Sequence, residues 1–231
     1  MITDKVTVVI PSYNPDEKLV KLIKRLKELG FDNLLVVNDG SVKECEQYFK
    51  KVEELGANVL AHKENCGKGR ALKTAFAYCL QMDKCAGVIT VDGDGQHLGK
   101  DILACVEEMY RQNDKVILGT RDFSGKEVPF RSRFGNSLTR FIFKVVYGID
   151  ISDTQTGLRA IPFCYLKQFM EYEGERYEYE TNMLLKMKQE HIEWTEVKIS
   201  TVYISENESS HFNPIRDSLK IYKVIFRFRQ K

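Results

Sequence analysis

The hydrophobic positions of this chain fall into short runs separated by polar or amphipathic stretches. Val6-Thr7-Val8-Val9-Ile10 is β-branched and apolar on both faces, as a strand buried in a parallel sheet should be. Pro11 is expected to end it. From about Pro15 to Gly30, Leu19, Leu22, Ile23 and Leu26 share one helical face, and Gly30 punctuates the end. Leu34–Val37 reads as a second strand, Lys43–Leu55 as a helix and Ala57–Ala61 as a third strand. Asn65-Cys66-Gly67-Lys68-Gly69-Arg70 reads as a loop before a helix from Ala71 to about Met82. Gly87–Val91 is the fourth strand.

This β-α-β-α-β-α-β alternation predicts a mostly parallel, doubly wound sheet with right-handed crossovers. Ligands of such sheets bind beyond the carboxyl ends of the strands. The polar and glycine-rich clusters at Asn38–Ser41, Asn65–Arg70 and Asp92–His97 fall at such ends. The alternation then loosens. Helices are expected over about Lys100–Gln112, Arg133–Tyr147 and Tyr177–Glu190, and strands at Val116–Gly119 and Trp194–Tyr203. Asp122–Arg133 reads as a loop and Asp150–Arg159 as an irregular polar turn. No linker or repeat interrupts the 231 residues, so one domain is expected.

The acidic turn Asp92-Gly93-Asp94-Gly95-Gln96-His97 carries the sharpest chemistry. Two carboxylates two residues apart can reach one hard cation, and oxygen ligands select Mg²⁺ or Mn²⁺ over zinc. Gly93 and Gly95 would give the turn unusual backbone angles.

Composition adds boundaries. The chain is 43% hydrophobic and 29% charged, which excludes disorder, and its net charge of +2 gives no sign of nucleic-acid binding. Pro214–Lys231 carries six Lys/Arg against one Asp, while the remainder is slightly acidic. In this tail Ile215, Leu219, Tyr222 and Phe226 recur at helical spacing, with Arg216, Lys220, Lys223 and Arg227 one residue on. That pattern fits an amphipathic helix at an anionic membrane surface, or one docked on the core with its basic stems pointing outward. Cys45, Cys66, Cys79, Cys85, Cys105 and Cys164 form no CxxC pair and read as small apolar residues in a reducing compartment. No run of 18 apolar residues and no secretory leader is visible. The expected location is cytoplasmic, with the inner face of the membrane as the surface to visit.

Several segments together resemble the family 2 glycosyltransferases of the GT-A fold, and particularly the polyprenyl-phosphate sugar transferases. They are VVIPSYNP (Val8–Pro15), VVNDGS (Val36–Ser41), NCGKGRAL (Asn65–Leu72), VDGDGQH (Val91–His97), LGTRDF (Leu118–Phe123), RSRFGNSLTR (Arg131–Arg140), DTQTGLRAIP (Asp153–Pro162), RYEYETNMLL (Arg176–Leu185) and ISENESSHFNPIRDSLKIY (Ile204–Tyr222). The pattern departs at Pro15 and at Asn38, where the family usually carries an acid.

The resemblance implies a GT-A architecture: a Rossmann-like central sheet with helices on both faces and a C-terminal amphipathic helix. Residues 1–120 would bind a UDP- or GDP-sugar, 121–212 would meet the acceptor, and 213–231 would form the basic helix. Pro11, Tyr13 and Asn14 would line the nucleotide, Asp39 would bond the base or ribose, and Gly67, Lys68 and Gly93 would lie nearby. Asp92, Asp94 and Gln96 would hold the metal. Arg121, Arg131 and Arg159 would meet phosphate or sugar. Glu178 or Glu180 would orient the sugar or serve as base, with Glu178 the favoured catalytic carboxylate. Ser210, His211 and Arg216 would face the acceptor, and His97 would sit near the site. The implied reaction is inverting sugar transfer to an undecaprenyl or dolichyl phosphate. Alternatives are transfer to a sugar or polyol hydroxyl, and nucleotide-sugar binding without catalysis.

Overall fold

The computed structural model describes residues 2–82, 85–112, 114–123 and 130–200, together with Ile225 and Phe228; for residues 130–135 it describes the backbone alone. Seven strands form one sheet: β1 (Val6–Ser12), β2 (Leu34–Asn38), β3 (Asn58–Ala61), β4 (Gly87–Thr90), β5 (Val116–Arg121), β6 (Arg159–Pro162) and β7 (Trp194–Ile199). Their order is β3-β2-β1-β4-β6-β5-β7. Every pairing is parallel except those of β6, which runs antiparallel to both β4 and β5. The helices are α1 (Glu17–Glu28), α2 (Glu46–Glu54), α3 (Lys68–Cys79), α4 (Gly99–Gln112), α5 (Phe130–Tyr147), α6 (Phe163–Met170) and α7 (Glu178–Gln189).

The continuous apolar strands feed two cores, one on each face. Val8, Ile10, Leu34 and Val36 pack with α1, α2 and α4, around Leu22, Phe49 and Ile102. Val9, Leu35, Val37 and Val88 point the other way, onto α3, α6 and α7, around Phe76, Leu166 and Leu184. This is the two-sided burial that the sequence pattern implies.

β1 does not stop at Pro11; it continues to Ser12, with Pro11 opposite Val37. The Val8 N–H donates to Asn33 on the β2 side, while the Val9 carbonyl accepts from Val91 on the β4 side. Alternation therefore turns the Pro11 nitrogen toward β4, beyond the last β4 residue, Thr90, where no ladder bond is forfeited. The expected loop at Lys68–Arg70 is already the first turn of α3, with Gly67 at its N-cap at φ +103°. α5 starts at Phe130, three residues earlier than expected. The strand expected over Trp194–Tyr203 ends at Ile199, and residues 201–203 lie outside the described set.

Ile225 and Phe228 support the docked alternative for the tail at those two positions. Ile225 is fully buried in the α3/α6/α7 core, and Phe228 packs edge-on against Tyr147 and beneath the Lys186 ammonium. The rest of the tail, including Ser210, His211 and Arg216, lies outside the described residues.

Candidate active site

The carboxyl ends of β1, β2 and β4 open on a cleft of about 400 Å³. Pro11, Tyr13 and Asn14 form one wall, Asp39 and Gly67 the back, and Lys68, Asp92, Gly93 and Asp94 the floor. Asn14 adopts φ +48°, and its side-chain oxygen accepts the Val42 N–H while its own N–H donates to Ser41. It therefore ties the first strand end to the second. The two departures from the family pattern have local explanations. Asn38 accepts the Ser41 N–H, and Asp16, one residue past Pro15, caps α1 and lines the cleft.

Asp39 is almost wholly buried. One carboxylate oxygen accepts the Gly67 N–H at 2.7 Å; the other accepts the Cys66 N–H and lies 2.7 Å from His62 Nδ1, whose Nε2 meets Thr74. These bonds fix the turn that delivers Lys68. Asp39 thus shapes the cleft through the loop as well as bordering it.

Lys68 is the central finding. Its Nζ lies 2.7 Å from Asp92 Oδ1 and 2.9 Å from Glu180 Oε1. Burial alone would lower the Lys68 pKa, but the two carboxylates outweigh it and hold the ammonium above its ordinary range. For Asp92, burial pushes upward, yet Lys68 and His97 pull the carboxyl well below the usual carboxylate range. Asp94 moves the opposite way: burial and the adjacent Asp92 charge raise it, although the Gln96 N–H donates to its Oδ1 at 3.0 Å. Gly95 has the left-handed φ of +76° that the turn requires, whereas Gly93 does not adopt a positive φ.

A second, smaller cavity of about 40 Å³ lies on the other side of Asp92, lined by Gln96, His97, Arg121 and the 155–157 turn. His97 is buried, and its Nε2 stands 3.6 Å from Asp92 Oδ2, beyond hydrogen-bond reach, with no hydrogen-bond partner among the described residues. Arg121 is held in a two-point pair by the fully buried Asp153, through Nε at 2.7 Å and Nη2 at 3.1 Å.

Other expected residues fall elsewhere. Arg159 is 1% exposed; it donates to the carbonyls of Thr156 and Glu180 and leaves Nη2 without a partner among the described residues, so it knits the 156 turn to α7 rather than lining either cavity. Burial holds its guanidinium below its ordinary pKa. Glu178 does not reach the cleft: its Oε1 accepts the N–H groups of Glu175 and Arg176, and Glu180 is the acid that meets Lys68. Arg131 lies in the first turn of α5, where only the backbone is described. Arg176, absent from the expected site, lines the cleft and donates to the Asn65 side chain at 2.8 Å. It packs directly on the Gly67 turn, where a side chain would strike Arg176 and the Glu175 carbonyl, a contact between distant segments that no local sequence pattern announces.

The residues present fit a divalent cation. Asp92, Asp94 and Gln96 offer two carboxylates and an amide oxygen, the hard ligands of Mg²⁺ or Mn²⁺. A bound cation would relieve the upward push that burial and the Asp92 charge exert on the Asp94 carboxyl.

A mostly parallel sheet with an acidic turn past its fourth strand, met on the floor of a cleft by the lysine that opens a helix, is the architecture of the GT-A class. The chain belongs to glycosyl transferase family 2, whose family model matches residues 7–192. It is 30% identical to an uncharacterised protein of Methanocaldococcus jannaschii, over 97% of this chain and 92% of that one. It is 28% identical to a UDP-N-acetylglucosamine–dolichyl-phosphate N-acetylglucosaminyltransferase of Methanococcus voltae, over 85% of each chain. Among solved structures it is similar to glucosyl-3-phosphoglycerate synthase of Mycobacterium tuberculosis in complex with Mn²⁺, uridine diphosphate and phosphoglyceric acid. That match has a TM-score of 0.71 and 16% identity, and covers 97% of this chain and 77% of that one.

Proposed function

We propose that this glycosyltransferase moves a sugar from a nucleotide diphosphate sugar to a polyprenyl phosphate at the inner face of the membrane, with inversion. The observation that carries the donor half is Lys68, at the N-terminus of α3, meeting Asp92 on the floor of the cleft. A helix N-terminus with an adjoining ammonium is a phosphate-binding arrangement. Pro11, Tyr13 and Asn14 would border the nucleoside, and Arg176 would stand at the mouth. Asp92, Asp94 and Gln96 would hold Mg²⁺ or Mn²⁺, which when bound neutralises diphosphate charge.

The acceptor half rests on Arg121. Asp153 holds the Nε/Nη2 edge of its guanidinium and so fixes the positive charge beside the small cavity across Asp92, where it would attract phosphate oxygens. A phosphate acceptor is already ionised and needs no base, which agrees with Glu180 being engaged by Lys68. The relatives of this chain include a dolichyl-phosphate transferase. No helix among the described residues is long and apolar enough to cross a membrane. α5 instead turns Asn136, Thr139 and Phe143 inward and leaves Leu138, Phe141 and Val145 exposed on the other side, beside Arg140 and Lys144. That face suits peripheral contact with an anionic leaflet.

The test is incubation of the purified protein with labelled UDP- and GDP-sugars and undecaprenyl phosphate, with and without Mn²⁺. A lipid-linked product dependent on the cation is expected. No lipid product with any common donor would remove the acceptor assignment, and a product indifferent to chelation would remove the metal.

A further inference from the structure

This inference rests on the cation assignment above. Asp92 is not free to receive a cation, because the Lys68 ammonium already sits on its Oδ1. The same ammonium touches Glu180, and the three side chains are only 15%, 33% and 12% exposed for Lys68, Asp92 and Glu180. An ammonium and a divalent cation repel each other on one carboxylate, and a buried ammonium stripped of its partner is strongly unfavourable. Glu180 resolves the conflict by giving Lys68 a second seat.

Asp92 is held from behind: Gly157 backs it so closely that a Cβ there would overlap its carboxylate. The backbone of Glu180 is anchored by Arg159, which donates to its carbonyl at 2.9 Å. Lys68, on a flexible four-carbon stem, is the part that can shift.

We propose that Glu180 is a positioning residue that draws the Lys68 ammonium off Asp92 when a divalent cation binds, so that Asp92 serves the cation while Lys68 stays on the cleft floor for the diphosphate. Glu180 itself touches neither donor nor cation.

The experiment measures Mn²⁺ affinity of the donor-free protein by electron paramagnetic resonance of the free ion, with melting curves as a folding check. Glu180→Gln leaves Lys68 with Asp92 alone and is expected to weaken Mn²⁺ binding roughly threefold to tenfold. Adding Lys68→Met to that variant is expected to restore affinity at least to the wild-type level, and Glu180→Asp to retain it. Wild-type affinity in Glu180→Gln, or a double variant no better than the single, overturns the proposal. If Glu180→Gln melts below the assay temperature, Lys68→Met alone carries the test: tighter Mn²⁺ binding supports the proposal and unchanged binding overturns it. A wild-type protein that binds no Mn²⁺ removes the cation assignment itself, before any variant is compared, and the proposal with it.

Discussion

Gly157 lies against the carboxylate of Asp92, closer than any side chain at that position would allow. The contact joins the turn before β6 to the second residue after β4, and the Thr90 hydroxyl, donating to the Gly157 carbonyl at 2.6 Å, locks it. Gly157→Ala must therefore push Asp92 out of place. Turnover is expected to fall about 100-fold, the order of loss for a displaced reacting group. Sugar transfer from a labelled donor measures it, alongside a melting curve that should stay close to that of the wild type.

Glu178 and Glu180 should separate cleanly. Glu178→Ala removes the acceptor of two backbone N–H groups and is expected to cost about 1 kcal/mol, or roughly 2–4 °C in Tm, with kcat nearly unchanged. Glu180→Ala should leave a buried ammonium with one partner fewer and lower turnover more than it lowers Tm. Calorimetric melts paired with steady-state rates decide the comparison. The reverse ranking would return the catalytic role to Glu178.

Arg121→Lys keeps the charge but loses the fork that Asp153 holds at two points. The KM for the lipid phosphate is expected to rise about tenfold, as for one lost charge-assisted bond, while the KM for the nucleotide sugar stays within twofold or so. Equal loss on both sides would show that Arg121 does not discriminate acceptor from donor.

The exposed face of α5 can be tested without touching the cleft. Phe141 is 65% exposed and Val145 66%. Phe141→Ser with Val145→Ser should weaken sedimentation with anionic vesicles roughly 10-fold or more, since each side chain contributes about 1.5–3 kcal/mol when fully buried. Transfer to a short-chain, water-soluble polyprenyl phosphate should persist.

Much of the first half of the fold was legible because its signals are local. β-branched runs apolar on both faces marked β1, β2 and β4, and the period of Leu19, Leu22, Ile23 and Leu26 marked α1. β6 and α6 were missed. Arg159–Pro162 is four residues long, and its partners in β4 and β5 lie about 70 and 40 residues earlier in the chain, so no periodicity announces it. Lys68 was read into a loop because glycines flank it. Those glycines serve instead to let α3 approach the 175–179 segment, where a side chain on Gly69 would overlap Tyr179. The choice between Glu178 and Glu180 turned on that same packing. Both lie in the first turn of α7, and only the seating of α7 against α3 decides which one meets Lys68.

The reversed strand β6 also has a consequence for the reaction. By running antiparallel between β4 and β5 it leaves those two strands pointing the same way, one strand apart. Their carboxyl ends, which present Asp92 and Arg121, are therefore set about 10 Å from each other by two strand spacings. On the proposed reaction β6 works as a ruler: it would set the spacing at which a leaving diphosphate and an incoming phosphate face each other across the anomeric carbon.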